Sequence, residues 1–348
     1  MTKPNIAILF GGMSPEYDVS LQSAYSVITH INREKYEPHL IGITRTGEWH
    51  LFTGDPKKIA GDTWVSPEDC MRAVISPDRE TNGVLVFGKY EVWTIKLDAA
   101  MPILHGKNGE DGTIQGLLQL AGIPIIGCGT LSSALCMDKE KAHKLASMAG
   151  INVPKSVVID SEEDKLLEAK NLIYPLFVKP VNCGSSFGIT KVNSPSELPT
   201  AVSHAFKYDS RVIIEENIPG FEVGCAVLGN KNLIVGKIDE IELTDGFFDY
   251  TEKYGLNKTN IHVPARITAE KAEEIVLTAQ KIYRALDCQG FARVDMFVAP
   301  QGKIVFNEVN TIPGFTTHSR YPNMLKAVGM TFEEIVNEII RLGVESGA

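Results

Sequence analysis

Two stretches toward the C-terminal end carry polar groups at strand spacing: Gly290-Phe291-Ala292-Arg293-Val294-Asp295-Met296-Phe297 and Val305-Phe306-Asn307-Glu308-Val309-Asn310-Thr311-Ile312-Pro313-Gly314. Alternate residues of a strand share a face, so Arg293 points with Asp295 and Glu308 with Asn310. Paired, the two strands would bring three oxygen-bearing side chains and a guanidinium to one side, with Val294, Met296, Phe306 and Val309 lining the other. Carboxylate and amide oxygens are the hard donors that Mg²⁺ prefers, and phosphoryl transfer commonly needs that ion across nucleotide phosphates. The plainer alternative is a solvated sheet face with an Arg–Asp ion pair; three metal-capable oxygens closed by a Pro-Gly turn favour the site. A second candidate, Phe177-Val178-Lys179-Pro180 followed by Gly184-Ser185-Ser186-Phe187-Gly188, sets a lysine at a strand end ahead of a Gly/Ser loop. Backbone N–H groups of such a loop can approach phosphate oxygens closely while Lys179 supplies a point charge. It is neither a Walker A sequence nor a GxGxxG turn, so phosphate binding and a plain surface turn both fit it.

The elements that position these groups begin with an apolar run, Ile6 to Phe10, then the turn Gly11-Gly12-Met13-Ser14-Pro15-Glu16 and a helix expected from Val19 to Ile31. That is the opening unit of an α/β sheet. A strand is expected at Leu40 to Thr44, an irregular polar stretch through Pro77, then a strand at Ala99 to Leu104. The latter ends in His105-Gly106-Lys107-Asn108-Gly109-Glu110-Asp111-Gly112, ahead of a helix from Ile114 to Leu120. Ligands gather at strand C-termini in open α/β sheets, so both loops are expected to wall one site. The breaker-rich Gly122 to Gly129 marks a hinge, placing a first domain at 1–130. Next come one helix over Ser132 to Ala149, strands near Ser156 to Ile159, Leu176 to Pro180, Arg211 to Glu215 and Gly224 to Leu228, an α+β pattern for a second domain at 131–232. The third, 233–348, holds a polar loop from Asp245 to Lys258, a helix from Ala269 to Leu286, the two polar strands and a closing helix from Phe332 to Leu342.

With 348 residues, 44% hydrophobic and 22% charged, the chain suits two or three globular domains of roughly 100 to 150 residues each and excludes a disordered or fibrous protein. A net charge of −9 without a dense Lys/Arg stripe argues against nucleic acid as a partner. The first apolar run is too short for a signal segment or a membrane span, which points to a cytoplasmic protein. The six cysteines are scattered and unpaired in sequence, so reduced thiols are expected rather than zinc or disulfides. Cys183, beside the Gly/Ser loop, has no partner histidine and reads as an incidental thiol. Histidines 30, 39, 50, 143, 204 and 262 lack metal-ligand spacing.

Taken together, Gly11 to Glu16, His105 to Gly112, Met137-Asp138-Lys139, Val178-Lys179-Pro180 with Gly184 to Gly188, Ala292 to Asp295, and Asn307 to Gly314 with Thr317-His318-Ser319 resemble the D-alanine–D-alanine ligase family. The motifs keep that family's order over residues 5 to 340. The resemblance implies the ATP-grasp fold: three domains, an N-terminal α/β sheet domain and two α+β domains that clasp ATP. It implies that Lys139 and Lys179 contact nucleotide phosphates, with Ser186 in the phosphate loop. Glu215, Glu216, Ile218 and Glu222 then hold adenine and ribose, and Asn307 lies in the same nucleotide site. Asp295, Glu308 and Asn310 match magnesium ligands for two ions, with Mn²⁺ an expected substitute. Glu16 matches the carboxylate that takes the ammonium of the first D-alanine, supported by Ser185 and Tyr254, with His105 nearby. Arg293 and the Gly314 N–H match the oxyanion-stabilising pair, Lys253 the loop lysine that reaches the γ-phosphate, and Ser319 a contact to the second substrate's carboxylate. A homodimer is the family's usual assembly.

Members of the family differ chiefly in the acceptor. Lys253-Tyr254 is retained where D-lactate ligases carry a histidine, while Gly246 to Tyr254, Glu222 to Gly229 and Ser319-Arg320-Tyr321-Pro322 resemble vancomycin-resistance enzymes, above all the D-alanine–D-serine branch. A small apolar pocket rejects an added hydroxyl only weakly, so serine selectivity needs a hydrogen bond. Asp245, Asp249 and Arg320 are the candidates. A housekeeping D-alanine–D-alanine ligase is the alternative; a catalytically silent nucleotide-binding regulator would have lost a metal ligand or Arg293, and none is lost. Two departures from the family pattern bear on the site: Tyr17 after Glu16, and Asn182-Cys183 ahead of the Gly/Ser loop.

Overall fold

Strand β1 (Asn5–Gly11) and strand β2 (Glu37–Ile43) run parallel from Asn5 opposite Glu37 to Gly11 opposite Ile43. Both faces of β1 are covered, which is why Ile6 to Phe10 is an unbroken apolar run rather than an alternation. The computed structural model describes residues 3–161, 168–184, 187–242 and 260–346. Helix α1 (Tyr17–His30) returns the chain from β1 to β2.

The stretch expected to be irregular instead contains β3 (Trp49–Phe52), the short α2 (Lys57–Ala60) and β4 (Cys70–Ile75), followed by β5 (Gly83–Phe87) and β6 (Val92–Lys96). With β7 (Ala99–Pro102) these complete a seven-stranded sheet in the order β6-β5-β4-β3-β2-β1-β7. Its added strands pair antiparallel. Helix α3 (Thr113–Ala121) follows the loop that leaves β7.

The single helix expected over 132–149 is two, α4 (Thr130–Met137) and α5 (Lys139–Met148). Asp138 between them is extended (φ −79°, ψ 99°), and its side chain accepts the Lys141 N–H as an N-cap. The break sets Lys139 on the first turn of α5, facing inward.

A second, antiparallel sheet contains β8 (Ser156–Ile159), β9 (Leu176–Pro180), β10 (Thr190–Val192) and β11 (Val212–Glu216), ordered β10-β9-β11-β8, with α6 (Leu198–Ala205) packed on it. A third comprises β12 (Phe221–Leu228), β13 (Ile234–Val235), β14 (Asp239–Glu242), β15 (Asn260–His262), β16 (Phe291–Val298) and β17 (Ile304–Asn310). Its order is β15-β14-β12-β16-β17, with β13 on β12 and α7 (Ala269–Ala285) against it. The sheets therefore divide between Glu216 and Phe221, and a boundary at 232 would cut β12 from its partner β16. Helices α8 (Arg320–Lys326) and α9 (Phe332–Ser346) end the fold, with α9 buried against α1 and the first sheet. Among the described residues no helix is long and apolar enough to cross a membrane.

Candidate active site

On β16 and β17, Arg293 stands opposite Asn310 and Asp295 opposite Glu308. The pairing then skips Asn307, so that Met296 faces Phe306. This bulge sends Asn307 and Glu308 both out of the core while Phe306 and Val309 stay buried; strict alternation would have put Phe306 and Glu308 on one face. Asp295 is 1% exposed and accepts from Arg293 Nε at 2.8 Å, Arg293 Nη2 at 2.7 Å and Asn310 Nδ2 at 2.9 Å. Because Asn310 gives its side-chain nitrogen to Asp295, its side-chain oxygen, which meets no donor among the described residues, is the atom that could serve a cation. No three His, Cys, Asp or Glu side chains gather as a metal trio among the described residues. The donor set here is two carboxylates and an amide, all hard oxygens, which suits Mg²⁺.

Arg320, expected at an acceptor pocket, gives its guanidinium to carboxylates. Nε and Nη2 lie 2.7 and 2.8 Å from the two oxygens of Asp239, Nη1 3.3 Å from Glu222, and Nη2 3.5 Å from Asp295. Asp239 is wholly buried and also accepts the Gly224 N–H at 2.7 Å. A Cβ at Gly224 would come within 2.5 Å of both Arg320 Nη2 and Asp239 Oδ1, so only glycine lets the guanidinium lie flat on β12. Arg320 thus touches Glu222 and Asp295, the residues expected at the nucleotide and the metal, and adjoins the expected acceptor end only as the neighbour of Ser319.

The expected nucleotide residues converge on β9, β11 and the start of α5. Lys179 Nζ is 2.6 Å from Glu215 Oε2, and His143 Nδ1 is 3.5 Å from Glu215 Oε1. Burial alone would raise the Glu215 carboxyl, but Lys179 and His143 outweigh it and hold it below the usual range. His143 Nε2 reaches the Asn307 carbonyl at 2.8 Å, tying α5 to the bulge of β17. Lys139 donates to the Cys183 carbonyl at 2.6 Å, which fixes the start of the Gly/Ser loop. The Glu216 side chain turns away to accept the Ile173 N–H, leaving only its backbone to the site, with half-buried Ile218 on the connection to β12. Burial pushes the Cys183 thiol up, against any thiolate role. Asn182 faces outward, its N–H and amide on Asp209.

At the substrate end, Glu16 is 6% exposed and follows Ser14, whose hydroxyl donates to the His105 carbonyl at 2.7 Å and accepts the Glu16 N–H. Gly106, at φ +72°, lies so close to Glu16 Oε2 that a Cβ would collide with it, and a Cβ at Gly184 would stand 3.7 Å from the same oxygen. The two loops and the Gly/Ser turn therefore meet around one carboxylate, as expected. Tyr17 does not join them: it is buried, its hydroxyl accepts from Trp64 Nε1 at 2.9 Å, and Arg45 covers its ring. Gly314 adjoins Ser319, whose Oγ accepts the Thr316 N–H at 3.0 Å. Ser185, Ser186, Asp245, Asp249, Lys253 and Tyr254 lie outside the described residues.

Four residues carry weight that sequence reasoning did not assign: Ser23, Glu110, His143 and Asp239. Glu110 sits in the glycine-rich loop after β7, which was its one visible signal. Removal from water, and then the charge of Glu16, raise its carboxyl well above the usual range. Burial likewise pushes His105 down to about 4. Nothing in the spacing of Ser23, His143 or Asp239 marks them.

The D-ala D-ala ligase N-terminus family model matches residues 5–128 and the D-ala D-ala ligase C-terminus model residues 145–341. The chain belongs to the D-alanine–D-alanine ligase family. It is 48% identical over 350 residues to the vancomycin B-type resistance protein VanB of Enterococcus faecalis, covering 99% of this chain and 100% of that one. It is 43% identical over 353 residues to a D-alanine–D-alanine ligase of Thermoanaerobacter sp., covering 99% and 98%. Among solved structures, the VanG D-Ala:D-Ser ligase from Enterococcus faecalis matches with a TM-score of 0.92 and 56% identity, covering 98% of this chain and 99% of that one.

Proposed function

We propose that this chain joins D-alanine to a second D-amino acid at the expense of ATP, with D-serine the preferred acceptor, making a modified dipeptide for peptidoglycan precursors of the kind linked to vancomycin resistance. What carries the serine reading is the 56% identity, over nearly the whole chain, to a D-Ala:D-Ser ligase. The ligase reading is supported by Arg293, Asp295, Glu308 and Asn310 sharing one face of β16 and β17.

The residue roles that the family resemblance implies supply the chemistry. Glu16, with Ser185 and Tyr254, takes the ammonium of D-alanine, leaving its carboxylate to attack the γ-phosphate of ATP. Glu215, the Glu216 backbone, Ile218 and Glu222 hold adenine and ribose, next to Asn307, and Lys139, Lys179, Ser186 and Lys253 attend the phosphates. Asp295, Glu308 and Asn310 would hold Mg²⁺, two ions in all, with Mn²⁺ as a substitute; bound there, the metal neutralises charge across the β- and γ-phosphates. The products of this half are ADP and D-alanyl phosphate. The acceptor amine, its carboxylate on Ser319, attacks the acyl carbon. Arg293 and the Gly314 N–H take the negative charge that gathers on the carbonyl oxygen, the amine loses a proton, and phosphate departs.

With the Arg320 guanidinium engaged by Asp239 and Glu222, Asp249 and Asp245 are the candidates that remain for the serine hydroxyl. The test is competition: ATP, Mg²⁺ and D-alanine with equimolar D-serine, dipeptides separated by mass spectrometry. D-alanyl-D-serine should dominate, and Asp249→Ala should shift the ratio toward alanine by about tenfold. Predominance of D-alanyl-D-alanine in the unaltered enzyme would make this a housekeeping ligase.

A further inference from the structure

Segment 312–316, which carries the Gly314 amide, is gripped by side chains from the first sheet's loops and helix. The Ile312 N–H donates to Glu110 Oε1 at 3.2 Å, and its carbonyl accepts from His105 Nδ1 at 2.9 Å. Pro313 has no N–H, the Phe315 N–H donates to Ser23 Oγ at 3.1 Å, and the Thr316 N–H is taken by Ser319. Among the described residues the Gly314 N–H finds no acceptor, so it is the one amide of this run left for a ligand. That selectivity comes from its neighbours being occupied.

The donor directions form one consistent chain. An N–H only donates, so Ser23 Oγ accepts from Phe315 and passes its own hydrogen to His105 Nε2, 3.2 Å away. His105 then carries its proton on Nδ1 and donates it to the Ile312 carbonyl. This is the neutral tautomer, as its burial requires. The Ile312 N–H ends on Glu110, whose other oxygen accepts the Gly106 N–H at 2.9 Å. Gly106 is the residue pressed against Glu16.

We propose that Ser23, His105 and Glu110 are positioning residues that aim the Gly314 N–H at the acyl-phosphate carbonyl, and that this clamp ties the first-substrate loop to the oxyanion site. The proposal rests on the oxyanion reading of Gly314. Its consequence is selective: loosening the clamp should impair the second half-reaction, where the oxyanion forms, and spare the first, where γ-phosphate is transferred.

Ser23→Ala and Glu110→Gln test this at two independent points. With ATP, Mg²⁺ and D-alanine, the acyl phosphate can be trapped by hydroxylamine as D-alanine hydroxamate and compared with dipeptide formed without the trap. Dipeptide turnover should fall by about tenfold to a hundredfold while hydroxamate formation stays within about threefold. A parallel fall in both, or in neither, overturns the clamp. The Gly314 amide resonance in ¹⁵N-glycine-labelled enzyme, assigned by its loss in Gly314→Ala, separates the two ideas. Bound to a phosphinate dipeptide analogue with ATP and Mg²⁺, it should move downfield in the unaltered enzyme and less in both variants. No movement in the unaltered enzyme overturns the oxyanion reading and the clamp with it; equal movement in all three overturns the clamp alone.

Discussion

Arg293 meets Asp295 from two residues away on the same strand, whereas His105 meets the Ile312 carbonyl across 207 positions of sequence. The face proposed to hold the metal needs only alternation, register and one bulge to bring Arg293, Asp295, Glu308 and Asn310 together. The substrate end is assembled from three loops, and each is held by side chains sent from elsewhere: Ser14 to His105, His105 and Glu110 to Ile312, Ser23 to Phe315. Groups born on strands inherit their geometry from the sheet. Groups born on loops must be tethered one hydrogen bond at a time, and each tether is a place where function can be lost without touching substrate.

The largest effect should come from the strand-built half. Asp295→Asn keeps shape but removes the charge facing Arg293 and the metal, and turnover in a phosphate-release assay should fall on the order of a thousandfold with the fold intact. A drop of about tenfold or less would break the comparison at its stronger side.

On the loop-built half, His105 gives a pH signature. Burial holds its folded pKa at about 4, below the ordinary imidazole value of 6.5, so the unfolded chain takes up the proton first. The stability it contributes is complete above pH 6.5 and is lost as the medium is acidified toward 4, by roughly 3 kcal/mol at about 1.4 kcal/mol per unit. Urea titrations across that window should show a shallower slope in His105→Gln. An unchanged slope would mean that the imidazole is not buried neutral.

Gly224→Ala probes the strand-built half sterically. The new methyl must displace Arg320 or Asp239, and unfolding free energy should fall by about 2 kcal/mol; unaltered stability would show Arg320 lying loosely on β12. The smallest effect is expected at Tyr17→Phe, which strands the buried Trp64 N–H at about 1 kcal/mol and leaves the KM for the first D-alanine unchanged. A raised KM would return Tyr17 to the substrate end.

The same contrast explains what could be read from sequence. Period-two spacing made the Arg293/Asp295 and Glu308/Asn310 pairs legible, and the Gly/Ser loop marked Lys179. The bulge at Asn307 was invisible because it is a choice of pairing, made between strands. Strands β3 to β6 are four to six residues each, and breakers between them hid the antiparallel half of the first sheet. Asp138 reads as an ordinary helical position until its side chain is seen capping α5. Arg320 stands out in the sequence through the resemblance of Ser319-Arg320-Tyr321-Pro322 to resistance-type ligases, but its partner Asp239 stands 81 residues away, and no local pattern reports that pairing.

Helix α9 has a bearing on how the protein is made. Phe332, Ile335, Val336, Ile339 and Ile340 fill the same cluster as Ile6, Phe10, Ala24 and Val27, and Asn337 accepts the Asn32 N–H at 3.0 Å. On the ribosome, a nascent chain that has reached Met330 already possesses every strand of the first sheet, yet carries an uncovered greasy flank where α9 belongs. The earliest-made sheet therefore reaches its finished state among the last, and chaperones that guard exposed apolar surface would have most to do during the interval before residues 332–346 emerge.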